Sequence, residues 1–177
     1  MMDNRGISLI ELVVVVTIIG ILAVALGFSF QGWLGKYRVE TQIREMQADL
    51  ENAKANAGLR KRSYFINLAA TSYAIYEDDN PAPDGDGTLN TALDRLVLTK
   101  TLDTRYPITW NNIANTQLEF STRGFLNPSD RRTMCIFSDL EPDYDCMVLS
   151  ETRINVGRIT TQDTAGGVCD DANCVQR

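Results

Sequence analysis

The hydrophobic residues of this chain are concentrated near its start. Over residues 7–35 most side chains are apolar, and no charged side chain occurs between Glu11 and Lys36. At about 1.5 Å per residue, such a run is long enough to cross a hydrocarbon core of about 30 Å as one helix. The pattern predicts a single membrane-spanning segment over residues 7–35, followed by a globular domain over residues 36–177.

A secretory signal peptide is the alternative interpretation of this run. Signal peptides have a basic region, an apolar region of about 7–15 residues and a small-residue cleavage site. The apolar run here is longer, and only Met-Met-Asp-Asn-Arg-Gly precedes it. Glu11 lies one helical turn inside the run, where an acid costs up to about 3 kcal/mol on insertion scales. A carboxylate in that place indicates a partner or a function.

Beyond Gly35 the apolar residues recur at helical spacing. The stripe consists of Val39, Ile43, Met46, Leu50, Ala53 and Ala57. Steps of three and four residues place these side chains on one face of a helix. Gly58 is expected to end this helix. The sequence therefore predicts one long helix from Ser8 to Ala57 whose second half packs on a sheet.

After Gly58 the period of the apolar pattern changes to two, which is typical of β-strands. Tyr64, Ile66 and Leu68 lie at alternate positions of the first predicted strand. The other predicted strands are segments 73–76, 94–99, 117–121, 133–138, 146–150 and 153–160. Consecutive short strands separated by turn residues form antiparallel sheets. The predicted fold class is α+β, with a long N-terminal helix packed on an antiparallel β-sheet.

The start of the chain resembles a known processing signal. The string Arg5-Gly-Ile-Ser-Leu-Ile-Glu-Leu, followed by the apolar run, resembles the class III signal of type IV pilins and type II secretion pseudopilins. The resemblance implies that residues 1–6 are a leader and that a prepilin peptidase cuts between Gly6 and Ile7 and methylates Ile7. Glu11 would then be the fifth residue of the mature chain.

The charges of this segment suggest how assembly is directed. Cleavage would free an amine at Ile7, at the end of an apolar helix in which Glu11 is the only acid. Opposite charges attract strongly in a medium of low dielectric constant. If subunits are staggered along a filament, Glu11 of one subunit meets the Ile7 amine of the next, and this pair sets the axial register.

Later segments resemble the GspH/FimT branch of pseudopilins and minor pilins. They are residues 50–57, the first two predicted strands with the Asp/Gly-rich loop after them, and residues 118–124, 147–150 and 157–159. The resemblance implies a pilin-like fold and a low-copy structural subunit at or near the tip of a type IV pilus or type II secretion pseudopilus. The implied partners are other pilin subunits, the prepilin peptidase and an inner-membrane assembly platform. The implied location is the bacterial inner membrane, crossed once, with the C-terminal domain in the periplasm, and later the filament.

Four cysteines lie in the second half of the chain, namely Cys135, Cys146, Cys169 and Cys174. A periplasmic location favours their oxidation to disulfides. Pairing by nearness gives Cys135–Cys146 and Cys169–Cys174, although the sequence leaves all three connectivities open. A four-cysteine zinc site is the alternative, and the lack of any Cys-x-x-Cys pair argues against it.

Acidic residues are concentrated in segment 77–87, which also holds two prolines and two glycines. An EF-hand does not fit, because aligning Gly87 with its invariant glycine puts Ala82 and Leu93 at ligand positions. A solvated surface loop is expected. The alternative is an irregular Ca²⁺ site, with candidate ligands Asp78, Asp79, Asp84 and Asp86. No other cofactor is expected.

The overall charge and composition narrow the function further. The net charge of −6 argues against nucleic acid as a partner. A DNA-binding minor pilin for DNA uptake, using Arg153 and Arg158, is one alternative function, and an adhesive or calcium-binding pilus tip subunit is another. The chain has no histidine to activate a nucleophile, and no phosphate-binding glycine loop follows a strand. An enzyme is therefore not expected.

Overall fold

The computed structural model describes residues 7–176, except for the side chains of residues 25–31. The predicted leader, residues 1–6, and with it the cleavage-site residue Gly6, lies outside the described residues. The chain forms two compact units, Met1–Gly35 and Lys36–Arg177. Helix α1, Leu9–Arg60, contributes residues to both units.

The described part of the first unit is mainly the N-terminal part of α1. The amide of Leu12 donates to the Ser8 carbonyl oxygen at the start of the helix. The Thr17 hydroxyl donates to the Val13 carbonyl oxygen at 2.7 Å, so this polar group is satisfied within the helix. The large apolar side chains described between residues 7 and 24 are 48–80% exposed.

In the second unit, the predicted apolar stripe of α1 is confirmed. Its members, Val39, Ile43, Met46, Leu50, Ala53 and Ala57, are all buried. The predicted end at Gly58 is wrong, because α1 continues to Arg60. The left-handed conformation that usually follows a helix is adopted by Lys61, with φ of 59°. Gly58 is still helical, and a Cβ placed there would lie at an ordinary 3.6 Å from the Arg123 carbonyl oxygen.

Nine strands follow α1 in the described part of the chain. They are β1 (Tyr64–Ala69), β2 (Ser72–Glu77), β3 (Arg95–Thr101), β4 (Thr109–Trp110), β5 (Gln117–Phe120), β6 (Arg132–Cys135), β7 (Cys146–Leu149), β8 (Ile154–Ile159) and β9 (Cys174–Gln176). Short 3-10 helices occupy Pro128–Asp130 and Asp163–Ala165. The predicted strands are confirmed to within a few residues at their ends, whereas β4 and β9 were not predicted.

The strands form two antiparallel sheets instead of the single sheet that was predicted. The first sheet has the order β3-β2-β1-β5 and the second has the order β4-β6-β7-β8-β9. The chain passes from the first sheet to the second between β3 and β4, returns between β4 and β5, and passes again to the second between β5 and β6, where Phe120 and Leu126 form an isolated bridge before the 3-10 helix. The helix stripe packs with residues of both sheets in one core, which includes Tyr64, Phe120 and Met147.

A buried arginine ties the two sheets together. Arg132 begins β6, and its side chain is fully buried. Its guanidinium donates to the carbonyl oxygens of Asn115, Gln117 and Asp130 at 2.7–3.2 Å. The carboxylate of Asp130 also accepts from the Glu119 amide at 2.9 Å. Burial lowers the pKa of Arg132, but an arginine remains charged over the physiological range.

Candidate assembly surfaces and the disulfide-bonded tail

The predicted processing and assembly residues are described from Ile7 onward. Ile7 precedes the helix and is 74% exposed. Glu11 lies in the first turn of α1 and is exposed. A carboxylate in the first turn interacts favourably with the positive end of the helix dipole. Both residues are therefore accessible to a partner, as pairing between subunits requires.

The predicted membrane segment is described only in part. Within the described residues, no helix combines the length and the apolar character needed to cross a membrane. Residues 25–31 of the predicted segment have side chains outside the described set. The membrane span over residues 7–35 stays a prediction.

The predicted disulfide pairing by nearness is wrong. The structure joins Cys135 to Cys169 and Cys146 to Cys174, with Cα–Cα separations of 5.8 and 5.9 Å. Cys135 and Cys146 are direct neighbours across β6 and β7, but each is bonded to the C-terminal segment instead of to the other. The reason is that this segment returns to pair β9 with β8, which brings Cys169 and Cys174 to the second sheet.

The disulfides build a second, smaller core on the outer face of the second sheet. Side chains alternate along a strand, so Cys135 and Cys146 point away from the main core that holds their neighbours Met134 and Met147. The four half-cystines cluster there with Ile159, Phe137 and Val148. The C-terminal segment is thus part of the folded domain and not a loose tail.

Asn173 fixes the path of this segment. Its side-chain amide donates to the carbonyl oxygens of Thr161 and Val168 at 2.8 and 2.9 Å. Its side-chain oxygen accepts from the Thr160 hydroxyl and the Thr161 amide at 2.8 and 2.7 Å. Two donors and two acceptor positions are the full capacity of an asparagine side chain. The loop before β9 is therefore held by four side-chain hydrogen bonds as well as by two disulfides.

The candidate calcium ligands are directed to separate partners. Asp78 is almost fully buried and accepts from the backbone amides of Asp86 and Gly87 at 3.1 and 2.8 Å. Asp79 accepts from the Arg95 amide at 3.0 Å. Asp86 accepts from Thr88. Asp84 is exposed on the same loop.

This geometry gives the calcium hypothesis no support. Among the described residues, no group of three histidine, cysteine or acidic side chains is arranged to hold a metal ion. Burial raises the pKa of Asp78, and the nearby charges of Asp94 and Asp86 raise it further, although the two backbone hydrogen bonds oppose the shift. The acidic loop is closed by its own hydrogen bonds, with Asp78 at the centre.

The two candidate DNA-binding arginines do not form a common surface. Arg153 lies in the turn between β7 and β8, where its carbonyl oxygen accepts hydrogen bonds from the amide and the hydroxyl of Ser150. Arg158 lies five residues further on, about 16 Å along an extended strand, and its guanidinium is 3.4 Å from the Glu141 carboxylate. Two arginines at this separation, one of them ion-paired, do not provide the concentrated positive charge that DNA binding needs.

A charged cluster at the end of α1 was not predicted. Glu77 ends β2 with its side chain fully buried. Its carboxylate accepts from Arg62 at 3.0 Å, from Arg60 at 3.2 Å and from the Tyr64 hydroxyl at 3.0 Å, and Arg95 contacts it as well. A signal was present in the sequence, since Tyr73, Ile75 and Glu77 alternate on the core face of one strand. We call Arg60, Arg62 and Arg95 the arginine cluster.

Comparison with known proteins gives one family match and two fold matches. Residues 1–27 match the family model of the prokaryotic N-terminal methylation motif. No curated protein matches the chain significantly. Among solved structures, the type IV minor pilin FimU of Pseudomonas aeruginosa is 16% identical with a TM-score of 0.51, covering 70% of this chain and 91% of that chain.

The second fold match is the minor pseudopilin EpsH of the type 2 secretion system of Vibrio cholerae. It is 12% identical with a TM-score of 0.50, covering 68% of this chain and 97% of that chain. At such identities the similarity shows the fold alone. The predicted α+β, pilin-like fold class is thereby confirmed.

Proposed function

We propose that this chain, whose methylation motif and fold support the type IV pilin and pseudopilin superfamily, is a minor structural subunit of a type IV pilus or a type II secretion pseudopilus. It is made as a membrane-anchored precursor, processed by a prepilin peptidase and then incorporated into the filament. The proposal assigns it no catalytic role.

The exposed apolar surface of the first unit carries this proposal. Large side chains such as Leu9 and Ile21 are 80% and 66% exposed. Apolar surface in water is unfavourable by roughly 25 cal/mol per Å², and extended apolar patches mark interfaces. A lipid bilayer covers this surface before assembly, and the helices of neighbouring subunits cover it in the filament.

Glu11 gives this otherwise unspecific apolar contact a defined register. After cleavage behind Gly6, the Ile7 amine is cationic below its ordinary pKa of about 8. Both Ile7 and Glu11 are exposed, so each can meet a group of another subunit. An uncompensated carboxylate among packed apolar helices is costly. Pairing with the amine of a neighbour removes that cost only at one axial offset.

The minor character of the subunit is supported by the fold comparison. Both similar structures are of minor subunits. The second unit has its own complete core, because the buried hydrophobic residues described in the structure all lie between Val39 and Cys174. It can therefore present a rigid surface to partners while the first unit is embedded in the filament.

The experiment is the substitution Glu11→Gln in the full chain, expressed in the bacterium that produces it. We expect normal membrane insertion and a strongly reduced amount of the subunit in purified filaments. Glu51→Gln is the matched control, since Glu51 lies on the same helix and its carboxylate is 3.4 Å from the Lys54 ammonium, three residues further on. Mass spectrometry of the native protein is expected to find residues 1–6 removed and Ile7 methylated.

Two results would contradict the proposal. One is a native protein that retains residues 1–6, because the Ile7 amine would then never form. The other is normal incorporation of the Glu11→Gln variant, which would refute the pairing role. DNA binding through Arg153 and Arg158 and calcium binding in the acidic loop are not proposed, since the geometry described above favours neither.

A further inference from the structure

The arginine cluster gathers more positive charge than its buried partner neutralises. Glu77 supplies one carboxylate for three guanidinium groups. Asp79 is a second acid nearby, 3.9 Å from the Arg95 side chain. Each guanidinium carries five N–H donors in a rigid fork, and the contacts with Glu77 use only a few of them. The cluster therefore keeps both charge and donors for another anion.

These arginines are also partly accessible and held in place. The side chains of Arg60, Arg62 and Arg95 are 50%, 28% and 47% exposed. They come from the end of α1, the connection between α1 and β1, and the start of β3, and all three contact the buried Glu77. A guanidinium that is already positioned loses less conformational freedom when it binds a second carboxylate.

The surroundings extend this surface. Lys61 lies between Arg60 and Arg62 in sequence and is exposed, and Leu59 is 80% exposed. Arg123 is exposed where its loop passes Gly58 near the end of the helix. The end of α1 thus combines positive charge with an exposed apolar side chain, in a chain whose net charge is −6.

We propose that the arginine cluster, together with Lys61, binds the carboxylates of an acidic segment on a neighbouring subunit of the filament. This inference rests on the function proposed above. The chemistry favours a carboxylate because Glu77 already shows that the three guanidiniums are spaced to grip one. Bidentate arginine–carboxylate contacts are strong and directional, so such a contact would select the neighbour as well as attract it.

A protein partner fits this surface better than nucleic acid does. Nucleic acid binding depends on many phosphate contacts along a basic track, whereas this cluster is compact and partly neutralised by Glu77 and Asp79. Leu59 offers an apolar contact of the kind found in protein interfaces.

The test can be made on residues 36–177, which contain a complete core. Hexaglutamate is the probe, and binding is followed through the arginine Nε–H resonances in NMR spectra at low salt. We expect the resonances of Arg60, Arg62 and Arg95 to shift, and those of Arg131 and Arg153 to remain unchanged. A DNA duplex of matched charge is titrated in parallel and is expected to bind more weakly.

Lys61→Asn separates binding from stability. Asparagine tolerates the left-handed conformation of residue 61, and Lys61 is exposed, so the melting temperature should be unchanged. The affinity for hexaglutamate should still fall. The double variant Arg60→Gln/Arg95→Gln should bind at least about tenfold more weakly, and Arg60→Lys/Arg95→Lys should recover part of the loss. Arg131→Gln is the matched control.

The full chain supplies the second arm of the test. Lys61→Asn combined with Arg60→Gln should be processed normally but should be depleted from filaments, unlike Arg131→Gln. Hexaglutamate binding that is equal in the variants, tighter binding of DNA, or undisturbed incorporation would each overturn the inference. Failure of the proposed function is seen separately, because it would appear as poor incorporation of the unaltered chain or as a retained leader.

Discussion

Cys146 reaches Cys174 across the whole width of strand β8. Cys146 lies in β7 opposite Gly157, and Gly157 in turn lies opposite Gln176 of β9. A Cβ added to Gly157 would lie 3.1 Å from the Cys174 sulfur and 2.4 Å from the Val175 carbonyl oxygen. The glycine therefore leaves the space through which the disulfide passes and allows β9 to approach.

Gly157→Ala should consequently destabilise the second sheet. The added methyl group overlaps the backbone of β9, so the strand must move and the Cys146–Cys174 disulfide must shift with it. We expect a loss of about 1–3 kcal/mol in the free energy of unfolding, as for other overpacked sites. Denaturant unfolding of residues 36–177 and thiol labelling of the folded variant measure the two effects.

Gly58→Ala is the control for this substitution. Its Cβ would have its nearest contact at 3.6 Å, and glycine inside a helix is less stable than alanine by roughly 0.5–1 kcal/mol. The free energy of unfolding should therefore rise slightly or stay unchanged. If Gly157→Ala behaved like Gly58→Ala, β9 and the disulfide would not require the glycine.

The spacing of apolar residues along the chain predicted the buried face of α1 and most of the strands, because these features depend only on residues near one another in sequence. The stripe from Val39 to Ala57 faces the core because helical spacing alone determines which side chains share a face. The strands β1 and β2 were found for the same reason at period two. The two-residue strand β4 has too few positions to show a period, and β9 is paired only because the C-terminal segment returns to β8.

Contacts between segments distant in sequence were the part that could not be predicted. Nearness suggested Cys135–Cys146, but the register that puts these residues side by side does not determine which of them meets the returning tail. The buried Glu77 is similar, because its partners Arg60 and Arg95 are brought together only by the packing of α1 and β3. Glu11, by contrast, lies within the local motif of residues 1–27, so its proposed role depends on no contact between distant segments.

The disulfide connectivity itself can be measured directly. Trypsin cannot separate Cys135 from Cys146 or Cys169 from Cys174, because neither intervening segment contains lysine or arginine. A protease that cleaves at aspartate does separate them, at Asp139, Asp143 and Asp145 and at Asp170 and Asp171. Non-reducing digestion should yield the linked peptides Cys135–Cys169 and Cys146–Cys174.

Removing either disulfide should also cost stability. The bridges close segments with sequence separations of 34 and 28 residues, for which loop entropy gives about 3–4 kcal/mol each. The double variants Cys135→Ser/Cys169→Ser and Cys146→Ser/Cys174→Ser should each fold with a lower free energy of unfolding. A linked peptide containing Cys135 and Cys146 would contradict the assignment.

Replacing Arg132 should be far more costly than replacing its neighbour. Arg132→Met removes a buried cation 3.7 Å from the Asp130 carboxylate and leaves three backbone carbonyls without that donor. Breaking such a buried pair typically costs about 3–5 kcal/mol. Arg131→Met removes an exposed guanidinium that pairs with Glu151 and should cost less than about 1 kcal/mol. Equal effects in denaturant unfolding would show that Arg132 does not link the sheets.

Asp78 should make the stability of the domain depend on pH in an unusual direction. Burial raises its pKa in the folded protein above the ordinary value of 3.8, so the folded state binds this proton more readily than the unfolded state does. The free energy of unfolding of the wild type, minus that of Asp78→Asn, should therefore increase as pH falls from 7 through the folded pKa, and become constant below 3.8.

Asp86 is the control, because hydrogen bonds from Thr88 lower its pKa. The corresponding difference for Asp86→Asn should be constant at neutral pH and should decrease as pH falls below 3.8 through the folded pKa. A difference for Asp78→Asn that decreases on acidification would mean that its carboxylate is stabilised in the folded loop more by the two backbone amides than it is destabilised by burial.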